Sequence, residues 1–244
     1  MIDAAALLLI VVGVLVGAIA QSATGVGFGL VAGPAVLIAA PQAGPMPVLA
    51  ASLVVLSLTL AQNRHGWRWR VVTFIVVAAL PGTVIGAAVL RALDPRMLQL
   101  AAGIVVVVAG CVIVRGVRVP SSAPFLALAA LVAGALNSIA AIPGPPLAMT
   151  YRPSDAAQFR ANLSAAFLAM TVLSLVATSV VRPPTAEDVR LSAVVAAVAA
   201  VSHVGARRWV RSIPNDTVRR AAVLVSIAAG ASLVVVSVLA PVPT

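Results

Sequence analysis

Apolar runs of about twenty residues recur along the whole of this 244-residue sequence, and that repetition leaves very few folds open. Runs at 47–62, 71–93, 96–114, 160–181, 189–205 and 217–239 are each long enough to cross a hydrocarbon core of roughly 30 Å. No long polar segment interrupts the series, so no soluble domain is expected beside the membrane part. Hydrophobic residues make up 62% of the chain and charged residues 9%, too little polar surface to cover a soluble core of this size. The expected class is an all-α integral membrane protein, multi-pass, of the cell inner membrane, with the lipid bilayer as its first partner.

All 16 basic residues are Arg, against six acids, and the isoelectric point is near 11.9. Such a balance raises the question of nucleic acid. The arginines stand singly or in short groups between apolar runs, so they read as topology signals and no nucleic-acid partner is expected. Cys111 lies inside an apolar run and reads as a small core hydrophobe. The N-terminus carries Asp3 and lacks a positive region, so 4–20 does not read as a signal peptide.

Two stretches break the pattern. Run 4–20 leads into Gln-Ser-Ala-Thr-Gly-Val-Gly-Phe-Gly over 21–29 and then a short apolar piece, 30–40. Run 123–136 leads into 137–146, with Asn137, Ser138, Pro143, Gly144, Pro145 and Pro146, and then only 147–151. Gly and Pro at this density break a helix, and the freed backbone groups cannot face lipid. Each stretch is therefore expected to be a discontinuous element packed inside protein or against a polar cavity.

The halves look like copies. Gly17, Gly27 and Leu30 match Gly134, Gly144 and Leu147 at an offset of 117, Gly86-Ala87 matches Gly205-Ala206 at 119, and Ala101-Ala102 and Gly110 match Ala221-Ala222 and Gly230 at 120. If each broken element crosses once, the arginines divide seven against nine. If each enters and returns as a hairpin, they divide twelve against four, with Arg91, Arg96, Arg182 and Arg190 on the poor side. The positive-inside rule selects the hairpins. The predicted fold has two inverted repeats, 1–119 and 120–244. Each is a broken, re-entrant helical hairpin plus three transmembrane helices, within a single membrane domain, and both termini lie outside the cytoplasm. Paired broken helices in inverted repeats are a transporter architecture with its site near the midplane.

Gly25-Val-Gly27-Phe-Gly29 followed by Pro34 resembles the glycine-rich first helix of the sulfite exporter TauE/SafE family. Gly144-Pro145-Pro146-Leu147-Ala148, followed by Arg160-Ala161-Asn162-Leu163, resembles its second-half counterpart, and Pro81-Gly82-Thr-Val-Ile-Gly86 and Gly205-Ala206-Arg207 also fit. The sequence departs at the first break, where Ala23, Thr24 and Val26 interrupt a fuller glycine run. The resemblance covers essentially the whole chain and implies a permease for sulfur-containing anions such as sulfite, sulfoacetate and other organosulfonates.

Polar groups at membrane depth are few. The candidate substrate-binding set is Gln21, Ser22, Thr24, Gly25, Gly27 and Gly29 at the first break, Asn137, Ser138, Gly144, Pro145 and Leu147 at the second, and Asn162. Half-helices beginning near Phe28 and Pro145 would point their N-termini into the protein, each with unpaired amides and roughly half a positive charge. The competing reading makes these glycines and prolines packing devices, with Ser, Thr and Asn satisfying the broken backbone. Ser164, Thr171 and Ser174, spaced seven and three apart, share one helical face that lines either a pathway or a helix seam. Gly82 and Gly86 read as a packing seam, His203 as an interfacial histidine, and Trp67 and Trp69 beside Arg68 and Arg70 as an interfacial anchor.

No acid falls inside a span, so no carboxylate pair is available for acid–base catalysis, and no Walker-type loop occurs. No enzyme, no metal and no cofactor is expected. The expected function is a secondary transporter or facilitative permease exporting a small anion. An anion channel and a non-transporting membrane subunit are the alternatives, and a homo-oligomer is left open.

Overall fold

The computed structural model describes residues 4–63, 66–116, 119–210 and 215–239, with the side chains of 207–210 and 215–219 outside that description. Its ten α-helices are α1 Ala4–Thr24, α2 Phe28–Ala39, α3 Met46–Gln62, α4 Trp69–Ala92, α5 Pro95–Val114, α6 Ala123–Ala140, α7 Gly144–Thr150, α8 Ala156–Val181, α9 Ala186–Val210 and α10 Asn215–Leu239. Seven of them (α1, α4, α5, α6, α8, α9 and α10) are long and apolar enough to cross a bilayer. Large apolar side chains such as Leu8, Val84, Val180 and Val201 lie exposed on the outer faces of these helices, as lipid contact requires. Run 47–62 is shorter than expected of a crossing: α3 has 17 residues, or about 25 Å at 1.5 Å per residue.

Local chemistry sets several boundaries. Asp94 caps α5 by accepting from Met97 N at 2.7 Å, with Pro95 at the first helical position. Asp155 caps α8 through Ala157 N at 2.8 Å. The limbs before the two breaks run further than the sequence pattern suggests, through Thr24 and Ala140 instead of ending near 20 and 136. The added residues are polar but stay helical: Ser22 and Thr24 donate to Ala18 O and Ala20 O, four residues back, at 2.8 and 2.9 Å. The half-helices begin at Phe28 and Gly144.

Both short helices fold back along their predecessors. Gly13 of α1 faces Ala35 and Gly17 faces Phe28 and Ala32, so α2 returns antiparallel to α1. Leu147 of α7 joins the core formed by Ala129, Ala130 and Ala133 of α6. Small residues let backbones approach: Gly82 and Gly86 of α4 sit against the Leu131 and Ala135 backbone of α6, and Gly134 answers against Ala79 and Thr83. Gly103 and Gly230 do the same between α5 and α10. The partnerships come in pairs: α4 packs on α6 and α9 on α1, α3 on α9 and α8 on α4, while α3 meets α8 and α5 meets α10.

The bundle has two distinct ends. At one, Arg68 N donates to Asn162 Oδ1 at 2.6 Å and Asn162 Nδ2 donates to Tyr151 Oη at 2.6 Å. At the other, Arg182 donates to Gln42 O and Arg96 Nε donates to Ser237 O at 2.6 Å. The first end also carries Arg70, Arg115, Arg152, Arg160, Arg207, Arg208, Arg219 and Arg220 by the course of their helices, and the second carries Arg91 and Arg190. Arg64, Arg118 and Arg211 lie outside the described residues. Trp67 and Trp69 are exposed at the arginine-rich end, with Arg70 over the Trp69 ring at 5.6 Å.

Candidate functional site

The first break is short and internally satisfied. The chain leaves α1 at Gly25 and enters α2 after Gly27, whose φ of 78° and 128° favour glycine. Gln21 bridges the gap: its Nε2 donates to Gly25 O at 2.8 Å and its Oε1 accepts from Phe28 N at 3.3 Å. Thr24 Oγ1 accepts from Val26 N at 3.1 Å. Ser22 turns outward from the break, with its Oγ 3.1 Å from His203 Nδ1.

The second break follows Ala141, which takes the left-handed conformation (φ 58°) and stops α6. Asn137 and Ser138 belong to the last turns of α6. Asn137 Nδ2 donates to Ser174 Oγ of α8 at 2.9 Å, and Ser138 donates to Thr83 O of α4 at 3.1 Å.

The two breaks meet inside the protein. Gly29 lies directly against the Ala141 carbonyl, and Gly144 against the Val26 side chain. Between them is a cavity of about 30 Å³. Gln21, Gly27, Gly29, Asn137 and Gly144 of the predicted set line it, with Ser52 of α3 and Phe167 and Thr171 of α8. Thr171 is 1% exposed, and its Oγ1 has no hydrogen-bond partner among the described residues. A buried hydroxyl without a partner costs about 1–3 kcal/mol; Ser164 Oγ and Ser192 Oγ are in the same state among the described residues, but neither lines this cavity.

The remaining predicted residues are placed elsewhere. Thr24 faces a larger cavity described below, and Gly25 packs on the Arg160 side chain. Ser138 faces α4 and α8, Pro145 lines an apolar groove with Val132 and Leu136, and Leu147 is core. Asn162 ties the arginine-rich end together through Arg68 and Tyr151, too far along α8 to line the central cavity. Burial raises the Tyr151 phenol above its usual pKa, against the opposing pull of the Asn162 hydrogen bond and Arg68. Ser52 was not singled out in the sequence; Thr171 was visible only as one member of a spaced polar face.

His203 does not face solvent. It is fully buried on α9, with Ser22 Oγ at Nδ1 and Gln62 Nε2 at Nε2, each at 3.1 Å. The contact of α9 with both α1 and α3 removes it from the surface.

A second cavity, of about 420 Å³, opens at the arginine-rich end. Thr24, Val26, Gly27 and Leu30 of the first break form one wall, with Arg152, Phe159 and residues of α5 and α10 around it. Val26, Gly27 and Leu30 also line the central cavity, so the first break is the partition between the two. Among the described residues no group of three His, Cys, Asp or Glu side chains is placed to hold a metal ion.

The family model described as Sulfite exporter TauE/SafE matches residues 9–233 of the chain. No curated protein and no solved structure matches it.

Proposed function

The chain belongs to the sulfite exporter TauE/SafE family, and from that premise we propose that it is a secondary transporter moving a small sulfur-containing anion through the cavity between its two breaks. The observation that carries this site is the Thr171 hydroxyl, buried, unpartnered and facing the point where both breaks converge. Around it the N-terminus of α2 supplies backbone donors and the positive end of a helix dipole. Asn137 and Ser52 add polar side chains on the facing walls.

Not every predicted group stays in this site. Gln21 is committed to holding the first break, and Ser22, Ser138, Leu147 and Asn162 serve packing or the ends of the bundle. Backbone donors and hydroxyls suit an oxyanion, since no buried lysine is needed to hold it. At about 30 Å³ the cavity has room for only about one or two waters, so binding an oxyanion requires the tips to part. With Val26 closing the path to the larger cavity, alternating access fits better than a channel.

The pairing of helix contacts favours two inverted repeats, 1–119 and 120–244. Exchanging α1 through α5 with α6 through α10 returns the same set of principal partners. The hairpins put the loops at Trp67, Tyr151 and Gly116 on one side and those at Gln42, Asp94 and Pro183 on the other. The positive-inside rule assigns the first side to the cytoplasm of an inner membrane.

The test is a thermal-shift screen of purified protein against sulfite, sulfoacetate, other organosulfonates and carboxylates of matched charge. A specific ligand at 100 times its Kd stabilises by about 2.7 kcal/mol. Stabilisation by sulfur oxyanions and not by carboxylates is expected; no stabilisation by any of them would refute the site.

A further inference from the structure

We propose that the 420 Å³ cavity at the arginine-rich end is a second anion site, a vestibule in which Arg152 captures the sulfur oxyanion before it passes the first break. The inference rests on the transport reading above and assigns this chain its side of recognition.

Three observations converge on it. Arg152 is the only charged side chain lining the cavity among the described residues, and no acid lies there to neutralise it. It sits exposed in the connection after α7, where its guanidinium can turn towards an arriving anion without leaving water. The opposite wall is the first break, through Thr24, Val26, Gly27 and Leu30, so the guanidinium faces the element that separates this cavity from the central one.

Size separates the two cavities by role. The vestibule holds an oxyanion with its hydration shell, at about 30 Å³ per water, whereas the central cavity admits it only stripped. Capture comes first, at a solvated guanidinium; selection follows, at the dry hydroxyl of Thr171. The surrounding arginines of this end, Arg68, Arg70, Arg115 and Arg160, extend the positive field over the mouth.

The experiment measures transport of radiolabelled sulfite in membrane vesicles of both orientations, comparing the unaltered protein with Arg152→Gln, Arg152→Lys and, as a charge control at the other end, Arg190→Gln. Arg152→Gln should raise KM from the arginine-rich side roughly tenfold at low ionic strength with kcat from that side unchanged; microscopic reversibility then lowers kcat/KM from the other side by the same factor. The effect should shrink in molar salt, where the Debye length is about 3 Å. Arg152→Lys should restore most of the loss, and Arg190→Gln should leave the arginine-rich side unaffected. An unchanged KM for Arg152→Gln in a protein that transports sulfite would overturn the vestibule alone. A loss confined to kcat would also overturn it, because Arg152 would then be acting through the fold. If the unaltered protein moves no sulfite, the transport reading and the vestibule fall together.

Discussion

Thr171→Val offers opposite signs for stability and affinity, which makes it the most informative single substitution. The two side chains have nearly the same shape, so the change removes a hydroxyl and little else. Thr171 is 1% exposed and its Oγ1 is unpartnered, so the ligand-free protein carries the desolvation cost of that group without any return. Removing it should stabilise the ligand-free protein by about 1–3 kcal/mol, and about 2–4 °C in Tm per kcal/mol is typical for a chain of this size. With the anion bound, the same hydroxyl donates to a charged acceptor, a bond worth about 1.5–3 kcal/mol. Its loss should weaken binding roughly ten- to hundredfold, at about 1.4 kcal/mol per factor of ten. The assay is a detergent thermal melt with and without sulfite, with Kd taken from the ligand dependence of Tm. A variant that melts higher alone and binds more weakly agrees with the site. A variant of unchanged affinity would refute it, whatever its Tm, because the hydroxyl would then face no ligand.

Four further substitutions or measurements test the surrounding structure. Gln21→Leu removes both bonds across the first break and should lower stability by about 2–4 kcal/mol, read by thermal melting; an unchanged Tm would mean that the break is held otherwise. Gly86→Ala drives a methyl into the Ala135 backbone and should cost about 1–3 kcal/mol, whereas Gly205→Ala meets nothing within 4 Å among the described residues and should be neutral or stabilising. Single cysteines at Trp67 and Arg152, in a background lacking Cys111, should react with an impermeant maleimide from one side of the membrane and those at Gln42 and Pro183 from the other; labelling of all four from one side would refute the hairpins. A potassium–valinomycin potential should drive sulfoacetate flux without a pH gradient, at roughly 2.3 kcal/mol per charge per 100 mV; accumulation driven by pH alone would point instead to a proton-carrying group, with buried His203 the first to examine.

Much of this molecule is written in short-range chemistry. The membrane class follows from apolar runs whose length alone satisfies a bilayer, and seven helices of that kind are present. The resemblance read from the glycine and proline segments names the same family whose model matches residues 9–233. The breaks are legible because glycine and proline impose conformations that a helix cannot absorb: the chain turns at Gly25 and Gly27 and restarts at Phe28, near where the pattern places it. The limits of that legibility are equally local. Ser22, Thr24, Asn137 and Ser138 look like loop residues in the sequence, yet they extend α1 and α6.

Which polar groups remain for a ligand was decided by packing. Gln21 and Ser138 read as site residues, and each is also bonded inside the protein, Gln21 to Gly25 and Phe28 and Ser138 to Thr83 and Ser174, partners brought near by the turn of a break or by another helix. Asn162 reads as a site residue in the sequence and is bonded to Arg68 and Tyr151. His203 stands near a helix end, where sequence position suggests solvent, and is sealed by α1 and α3. Thr171 belongs to a visible polar face, but that its hydroxyl is buried on the central cavity without a partner among the described residues depends on the meeting of α1, α2, α3, α6 and α8. The sequence by itself determined the membrane class, the family and the positions of the breaks, because hydropathy and backbone restriction act within a few residues of chain. Only the tertiary structure decided which donors are spent and which are left over, because hydrogen-bond satisfaction is settled between groups that the chain holds up to 181 residues apart.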